Sequence, residues 1–210
     1  MGSVNYRTTT HEMLSLVQGL SGTTSSSGLS TKEVLINYIQ HRESLSALRQ
    51  NIGNKLLGYI DIFRRVKGEN HLLMFFEKEF RPIPAQKTMG RLQESPSISF
   101  NAADAFIEEH YKTGIDLQKV TAGFKSVGVR FHFLYLQGKG AKTRRGVDYL
   151  ENSGEIYDIF TKLANATGGI NVTSSKTSAF VKQVGDVIKG KVEVEILNET
   201  GLREKSTLPD

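Results

Sequence analysis

The chain has 210 residues, which is enough for one large domain with a sizeable hydrophobic core and a tight fit for two domains. Its 27 Lys and Arg exceed its 22 Asp and Glu, and the formal net charge of +5 favours solubility and weak attraction to anions without requiring nucleic acid. The absence of Cys excludes a disulfide, a thiolate nucleophile and a zinc-thiolate site, and no apolar stretch approaches the roughly 20 residues that span a bilayer.

The first third of the chain is predicted to be helical. Residues 4–20 predict a short extended piece and then a helix, and the SGTTSSS stretch at 21–27 predicts a mobile, solvated loop. The STKE sequence at 30–33 matches a capping box, in which a Ser hydroxyl and a Glu carboxylate satisfy backbone N–H groups at a helix start. Apolar residues then recur every three or four positions over 34–63, interrupted by Gly53, which predicts one long helix or two with a break.

The HLLMFF run at 71–76 is the first clearly predicted strand. It is continuously apolar and too short for a helix, which is typical of a strand that is covered on both faces in a parallel sheet. The RPIP sequence at 81–84 is expected to end this region, because each Pro lacks an amide donor and restricts the residue before it. An irregular excursion is then expected to about residue 99.

The second half predicts alternating helices and strands. Asn101 is a candidate N-cap of one helix and Asp116 of another, which Gly128 would close. The VRFHFLYL sequence at 129–136 is rich in aromatic and branched residues and predicts the second strand, and a loop follows at 137–146.

A further helix and strand, and then another such pair, are expected after that loop. Ser153 is expected to open a helix that the glycines at 168–169 end, before a short INV strand at 170–172. Residues 176–189 carry apolar side chains at helical spacing, and KVEVEI at 191–196 alternates as an edge or half-exposed strand.

This alternation of strand and helix from residue 71 onward predicts crossover units, because parallel strands need a long connection that returns the chain. The expected fold class is α/β, with a mostly parallel sheet and helices on both faces. We expect a single domain over 1–200, followed by a C-terminal tail at 201–210. The last strand is the candidate for an antiparallel position.

The region 71–172 carries three features in series: the HLLMFF strand, the helix that ends at Gly128 before VRFHFLYL, and GEIYDIFTKLANATGG followed by INV. Together they resemble the C-terminal half of a von Willebrand factor type A domain. The resemblance implies a doubly wound, Rossmann-like α/β fold that is used mainly for adhesion and protein assembly. The first strands of that fold have no counterpart in the chain, so we expect a domain that is truncated at its N-terminus.

The resemblance also implies where a metal site would lie. The family uses an Asp-x-Ser-x-Ser loop after the first strand, a Thr in a later loop, and an Asp after the strand that corresponds to HLLMFF. This sequence has no Asp-x-Ser-x-Ser, Glu77 stands at the Asp position, and Ser30 and Thr31 are the nearest candidates for the Thr. Because hard cations need several convergent oxygens, we expect no metal and no cofactor, with Glu77 still marking the ligand edge of the sheet.

The loop at 137–146 is a second candidate site. Its GKGAKT sequence at 138–143 resembles a phosphate-binding loop, but Leu136 and Ala141 occupy the two Gly positions of the required spacing. The loop concentrates four basic side chains that could meet an acidic partner, a phosphate or a lipid headgroup, namely Lys139, Lys142, Arg144 and Arg145. A solvated loop without a binding role is the simpler interpretation.

The sequence shows no complete catalytic constellation. The five His residues have no pairing at metal-ligand spacing on one helix face, and His132 is interpreted as a packed or capped residue of its strand. There is no Gly-x-Ser-x-Gly elbow, and without Cys the available nucleophiles are unsupported hydroxyls. We therefore predict that the chain is not an enzyme.

The sequence favours a soluble, non-enzymatic module for protein binding, adhesion or assembly, with a degenerate metal site. Contacts with a protein partner, acidic if the basic loop takes part, are expected at the C-terminal edge of the sheet through Ser30, Thr31, Glu77, Lys139, Lys142, Arg144 and Arg145. The alternative is a nucleotide- or phosphate-binding enzyme that uses the loop from Gly138 to Thr143. Nucleic-acid binding is disfavoured because no recognised module is present and the charges are spread along the chain. The compartment stays open between the cytoplasm and the bacterial periplasm or extracellular space, and the oligomeric state is open too.

Overall fold

The computed structural model describes residues 6–22, 28–94, 104–107, 114–138, 144–187, 193–197 and 203–207. In chain order the elements are α1 (Tyr6–Leu20), α2 (Thr31–Phe63), β1 (Asn70–Glu77), β2 (Phe80–Pro84), α3 (Gln86–Gln93), α4 (Asp104–Ile107), α5 (Leu117–Ser126), β3 (Val129–Leu136), β4 (Val147–Glu151), α6 (Gly154–Thr167), β5 (Asn171–Ser174), α7 (Thr177–Val187), β6 (Glu193–Leu197) and β7 (Arg203–Thr207). The strands form a three-stranded sheet, a two-stranded ribbon and a C-terminal hairpin.

The three-stranded sheet is parallel and has the order β1-β3-β5. β1 pairs with β3 along its whole length, from Asn70 opposite Val129 to Glu77 opposite Leu136. β5 pairs with the second half of β3 on the other side. The chain returns between these strands through helices, as the predicted crossover units require. The α/β class is therefore confirmed, as is the parallel arrangement of the first three predicted strands.

The main core lies on the face of the sheet that packs against α2, α5 and α6. Phe131 and Phe133 of β3 meet Phe160 of α6, with ring centroids 5.5 and 5.3 Å apart. These three side chains are fully buried, as are Phe124 of α5 and Leu56 of α2. Burial of each side chain of this kind contributes about 1.5–3 kcal/mol, so the aromatic cluster holds the three helices on the sheet.

Two glycines make the turn from α6 into β5 possible. α6 ends at Gly168, which has the left-handed conformation (φ 73°) that residues with a side chain rarely adopt, as the sequence predicts. Gly169 then passes so close to β3 that a Cβ atom would collide with the Phe131 carbonyl oxygen. The short connection therefore depends on the absence of a side chain at both positions.

The opposite face of the sheet is covered mainly beside β5. Phe180 of α7 packs with Leu134 and Val172, whereas Phe75 of β1 is 62% exposed and meets the Phe180 ring edge-on at 6.3 Å. The prediction that the HLLMFF strand is buried on both faces is therefore wrong. The physical reason is that β1 lies at the edge of the sheet, while α7 packs against β5 at the other edge.

β2 and β4 form a separate antiparallel ribbon, in which Pro82 lies opposite Tyr149. A second core joins the ribbon to α1, α3 and the first half of α2, and Tyr38 of α2 donates a hydrogen bond to the Pro82 carbonyl oxygen at 2.9 Å. β1 has ended before RPIP, but RPIP itself forms β2, and the irregular excursion predicted after it is wrong where α3 forms, at Gln86–Gln93. Pro is compatible with β2 because that strand has one neighbour and so needs partners for only half of its N–H groups.

The C-terminal part departs from the sequence prediction as well. β6 pairs antiparallel with β7, and neither joins the parallel sheet, so the expected tail contains a strand at Arg203–Thr207. The alternating β6 sequence finds its partner nearby in the chain, which costs less loop-closure entropy than a distant one. α2 runs unbroken through Gly53. The predicted Asn101 cap and most of the predicted loop at 21–27 lie outside the described residues. Among the helices of the described ranges, none is long and apolar enough to cross a membrane.

Candidate functional site

The carboxyl ends of β1 and β3 lie side by side and carry the residues of the candidate site. Glu77 is in register with Leu136, and the Lys78 N–H donates to the Leu136 carbonyl oxygen at 2.9 Å. Residues 78–79 connect β1 to β2, and residues 152–153 connect β4 to α6. The ribbon is therefore attached at the edge of the sheet where open α/β folds bind ligands. We call Lys78, Glu79, Glu151, Asn152 and Ser153 the joint.

A hydrogen-bonded network links β3, β4 and α6 at the joint. Tyr135 Oη lies 2.9 Å from Ser153 Oγ, and Glu151 Oε1 accepts from these two hydroxyls at 3.4 and 3.2 Å. Lys78 Nζ forms an ion pair with Glu151 Oε2 at 2.6 Å. Burial raises the pKa of Tyr135, and the hydrogen bond to Glu151 raises the pKa of Lys78. Both groups are thus protonated donors at neutral pH.

A buried ion pair connects α2 to the joint. The Arg49 guanidinium donates to the Glu79 carboxylate, and only 5% and 16% of these side chains are exposed. The Glu79 main chain is bound as well, because its N–H donates to Ser153 Oγ at 3.3 Å and its carbonyl oxygen accepts from the Asn152 N–H at 3.1 Å. Burial, which the Arg49 charge offsets only in part, raises the pKa of Glu79. The joint is therefore held by α2 through Arg49, by β3 through Tyr135, and by the connection from β4 to α6.

Asn152 is the least satisfied polar side chain of the joint. It is 8% exposed, and neither the nitrogen nor the oxygen of its carboxamide has a hydrogen-bond partner among the described residues. A buried amide in this condition costs about 1–3 kcal/mol. Asn152 directly precedes Ser153, the N-cap of α6, whose own side chain makes no capping bond because it binds the network. The joint thus combines burial with unused hydrogen-bonding capacity.

Ser153 carries the hydroxyl of the joint that most resembles a candidate nucleophile, and its surroundings do not favour that role. The residue is fully buried, and its oxygen contacts Tyr135, Glu151 and the Glu79 N–H. A substrate would have to open the connection between sheet and ribbon to reach it. The arrangement can hold two chain segments together, and we assign it that structural role.

Glu77 lies at the end of β1, beside the start of the predicted basic loop. A Cβ atom built on Gly138 would be 3.4 Å from Glu77 Oε1, so the carboxylate and the glycine lie next to each other. Glu77 is exposed, as are Arg144 and Arg145 at the other end of the loop. The two arginines directly precede Val147, which pairs with Pro84, so they lie at the end of the ribbon that is far from the joint. Lys139 and Lys142 lie outside the described residues.

The structure does not bring Ser30 and Thr31 to this edge. Ser30 caps α2, with its N–H donating to Glu33 Oε2 at 2.7 Å and its Oγ accepting from the Glu33 N–H at 3.3 Å, so the predicted capping box is confirmed. The hydrogen bonds from Ser30 lower the pKa of Glu33. Thr31 begins α2, and Arg49, which reaches the joint, lies about 27 Å further along the helix at a rise of about 1.5 Å per residue. A metal ion at Glu77 could not share ligands with Ser30 or Thr31.

His71 and His132 form a separate polar pair on the α7 face of the sheet. His71 Nδ1 lies 2.9 Å from His132 Nε2, and the Ile170 N–H donates to His132 Nδ1 at 3.2 Å. His132 therefore carries its proton on Nε2 and donates it to His71. Burial, followed by the neighbouring His71, lowers the pKa of His132 to about 4. The interpretation of His132 as a packed or capped residue is confirmed, because it is buried and accepts a main-chain hydrogen bond.

The described residues contain no cluster for a metal ion, and comparison with known proteins gives no match. Within the described ranges, no group of three or more His, Asp or Glu side chains could hold a metal ion. No family model, curated protein or solved structure matches the chain. The similarity to von Willebrand type A domains therefore rests on the residue patterns alone.

The residues of the joint were not predicted from the sequence. Arg49 has the spacing of a buried helix position but the chemistry of a solvated one, and its partner Glu79 lies between the predicted strand and RPIP, in a segment with no predicted element. The one signal was local, since the charged Lys78 and Glu79 directly follow an apolar strand. Ser153 was predicted as an N-cap, and it does occupy that position. Its side chain, however, makes no capping hydrogen bond.

Proposed function

We propose that the chain is a non-enzymatic protein-binding module of the von Willebrand type A kind, with a degenerate metal site, and that it binds an acidic partner through the basic loop at 137–146. This loop starts at the carboxyl edge of the sheet and ends at the far end of the ribbon, where Val147 pairs with Pro84. The observation that carries the proposal is the exposure of Arg144 and Arg145 on an anchored stretch of main chain. The next residue, Gly146, accepts hydrogen bonds from Ser21 Oγ at 2.6 Å and from the Ala85 N–H at 3.1 Å.

This anchoring supports a binding role because it lowers the entropic cost of contact. Val147 follows the two arginines and is 1% exposed, so the main chain on their C-terminal side is fixed before a partner arrives. Guanidinium groups bind carboxylates through paired hydrogen bonds, which suits an acidic protein segment. Glu77, near the other end of the loop, would repel carboxylates and so orient such a segment. Lys139 and Lys142 are expected to add positive charge.

Two further features support the non-enzymatic part of the proposal. The hydroxyl of Ser153 is buried and used within the joint, so it serves the connection between ribbon and sheet. The expected Asp position of the family carries Glu77, and Ser30 and Thr31 lie far along α2 from it. A partner would therefore be bound by charge and shape rather than through a shared metal ion.

Thermal unfolding in the presence of candidate ligands tests this proposal against its rival. A ligand that binds only the folded state raises the melting temperature, so Mg²⁺, Mn²⁺ and ATP should each leave it unchanged. A rise with Mg²⁺ or Mn²⁺ that Glu77→Ala removes would restore a metal-dependent adhesion site. A rise with ATP would favour the phosphate-binding enzyme that uses the loop from Gly138 to Thr143.

A further inference from the structure

The outer edge of β1 offers unpaired main-chain groups to a binding partner. Among the described residues, β1 pairs with β3 alone. The Lys78 N–H points to β3, and successive residues of a strand direct their N–H and C=O groups to alternate sides. The main-chain groups of four residues therefore point away from the sheet, and these residues are His71, Leu73, Phe75 and Glu77.

Over the described residues, this edge lacks most of the features that usually prevent strand pairing, and the Glu77 carboxylate lies at its end. Proteins protect an exposed edge with Pro, Lys, a bulge or a very short strand, and β1 has eight residues, no Pro and no Lys. Its central segment is LLMFF, and the ring of Phe75 is 62% exposed. A long, apolar and unprotected edge is a surface for another strand.

We propose that two copies of this chain associate through antiparallel pairing of their β1 edges, which joins the two parallel sheets into one six-stranded sheet. A two-fold axis perpendicular to the sheet relates the strands, so each face of one sheet continues into the same face of the other. Only alignments that place an outward-pointing residue opposite another satisfy the hydrogen bonds. Because of this condition, the residue at the centre of the pairing must lie opposite the same residue of the second copy.

Charge and length favour Met74 as that central residue. With Met74 opposite Met74 of the second copy, His71 lies opposite Glu77 at both ends of the pairing, and Leu73 lies opposite Phe75. The exposed Phe75 ring then covers an apolar side chain, and each carboxylate meets a group that can carry a positive charge or donate a hydrogen bond.

The neighbouring alignments are less favourable. A centre at Leu73 places Glu77 opposite Glu69 of the second copy, which brings two carboxylates together. A centre at Phe75 places Glu77 opposite Leu73 and shortens the paired segment. The proposal therefore specifies both the partner and the register.

Cysteine cross-linking tests the register directly, because the chain contains no Cys. Met74→Cys would place two thiols opposite each other at a non-hydrogen-bonded pair, with Cα atoms about 4.5 Å apart, which a disulfide can span. Under mild oxidation this variant should form a covalent dimer faster than Leu73→Cys and Phe75→Cys. Val181→Cys, at a position on α7 that is 74% exposed, measures random collision. Fastest cross-linking at Val181, or equal rates at all four positions, would overturn the proposal.

Light scattering over a concentration series tests the association without any cross-link. The 210-residue chain should approach the mass of a dimer as its concentration rises, and Phe75→Lys, at an exposed position, should remain a monomer with an unchanged circular dichroism spectrum. A wild-type chain that stays monomeric throughout would contradict the proposal and leave the edge to a strand of another polypeptide. A dimer that survives Phe75→Lys would place the interface elsewhere.

Discussion

Arg49, in the middle of α2, forms a buried ion pair with Glu79, which lies two residues beyond the end of β1. The same helix contributes Tyr38 to the core of the ribbon and Leu56 to the main core. The ion pair therefore fixes α2, which packs in both cores, to the point where the ribbon leaves the sheet. This contact, rather than the sheet alone, determines where the carboxyl edge lies relative to the ribbon.

Breaking this ion pair should destabilise the fold strongly. We expect Glu79→Leu and Arg49→Met each to lower the free energy of unfolding by about 3–5 kcal/mol, because each removes one member of a buried ion pair. The double variant should lose less than the sum of the two. Urea denaturation of all four proteins measures this coupling. Arg64→Met, which breaks the exposed pair with Asp61, is the matched control and should cost less than about 1 kcal/mol. Strictly additive losses would contradict the account.

The two Phe residues of neighbouring strands should respond very differently to truncation. Phe133→Ala removes a fully buried ring and should cost about 3–5 kcal/mol in the free energy of unfolding. Phe75→Ala removes a ring that is 62% exposed and should cost less than about 1 kcal/mol in the monomer. Denaturation at low protein concentration compares the two. Equal losses would show that both faces of β1 are covered, as the sequence predicted.

His132 should make the stability of the protein depend on pH. Its pKa is about 4 in the folded chain and about 6.5 in an unfolded one, so the unfolded state binds more protons between these values. The contribution is complete above about pH 6.5 and is lost as the pH falls toward 4, by at most about 3 kcal/mol. Urea denaturation at several pH values measures how the free energy of unfolding changes with pH. This change between pH 4 and 6.5 should be smaller for His132→Asn than for the wild type. His11→Asn, an exposed site, is the control, and an equal slope in all three proteins would refute the assignment.

The turn after α6 predicts a difference between two glycines. Gly169→Ala forces a Cβ atom into the Phe131 carbonyl and should cost more than about 2 kcal/mol. Gly154→Ala, in the first turn of the same helix, meets nothing within 4 Å and should change stability by less than about 1 kcal/mol, in the favourable direction. Thermal melts of the two variants are sufficient. A neutral Gly169→Ala would show that the turn can move away from β3.

Sequence patterns predicted correctly the elements that depend on residues close together in the chain. VRFHFLYL predicted β3 with the bounds it has, and Asp116 and Gly168 cap the helices at which they were expected. The ribbon was missed because β2 and β4 are short and are stabilised by each other across a long stretch of chain. Periodicity within either segment contains no information on that pairing.

The residues of the candidate site were likewise predictable only where their position follows from the bounds of one element. Glu77 could be placed at the carboxyl edge because strand ends follow from strand bounds. Ser30 was a candidate for the Thr of the family's metal site only because it carries a hydroxyl. Its distance from Glu77 depends on the length and course of α2. The contact between Arg49 and Glu79 depends on how the helix packs against the ribbon, which no residue pattern reports.

The binding of an acidic probe by the basic loop at 137–146 is the most direct test of the proposed function. Fluorescence anisotropy with a labelled oligoglutamate peptide would compare the wild type with the charge reversals Arg144→Glu and Arg145→Glu made together. The control is Arg65→Glu with Lys125→Glu, which makes the same change in net charge at exposed positions near the amino edge of the sheet. We expect the reversal at 144 and 145 to weaken binding by about tenfold or more and to reduce its salt dependence, with stability changed by less than about 0.5 kcal/mol. The control should retain most of the affinity. Equal weakening in both variants, or a wild type that does not bind the peptide, would contradict the proposal.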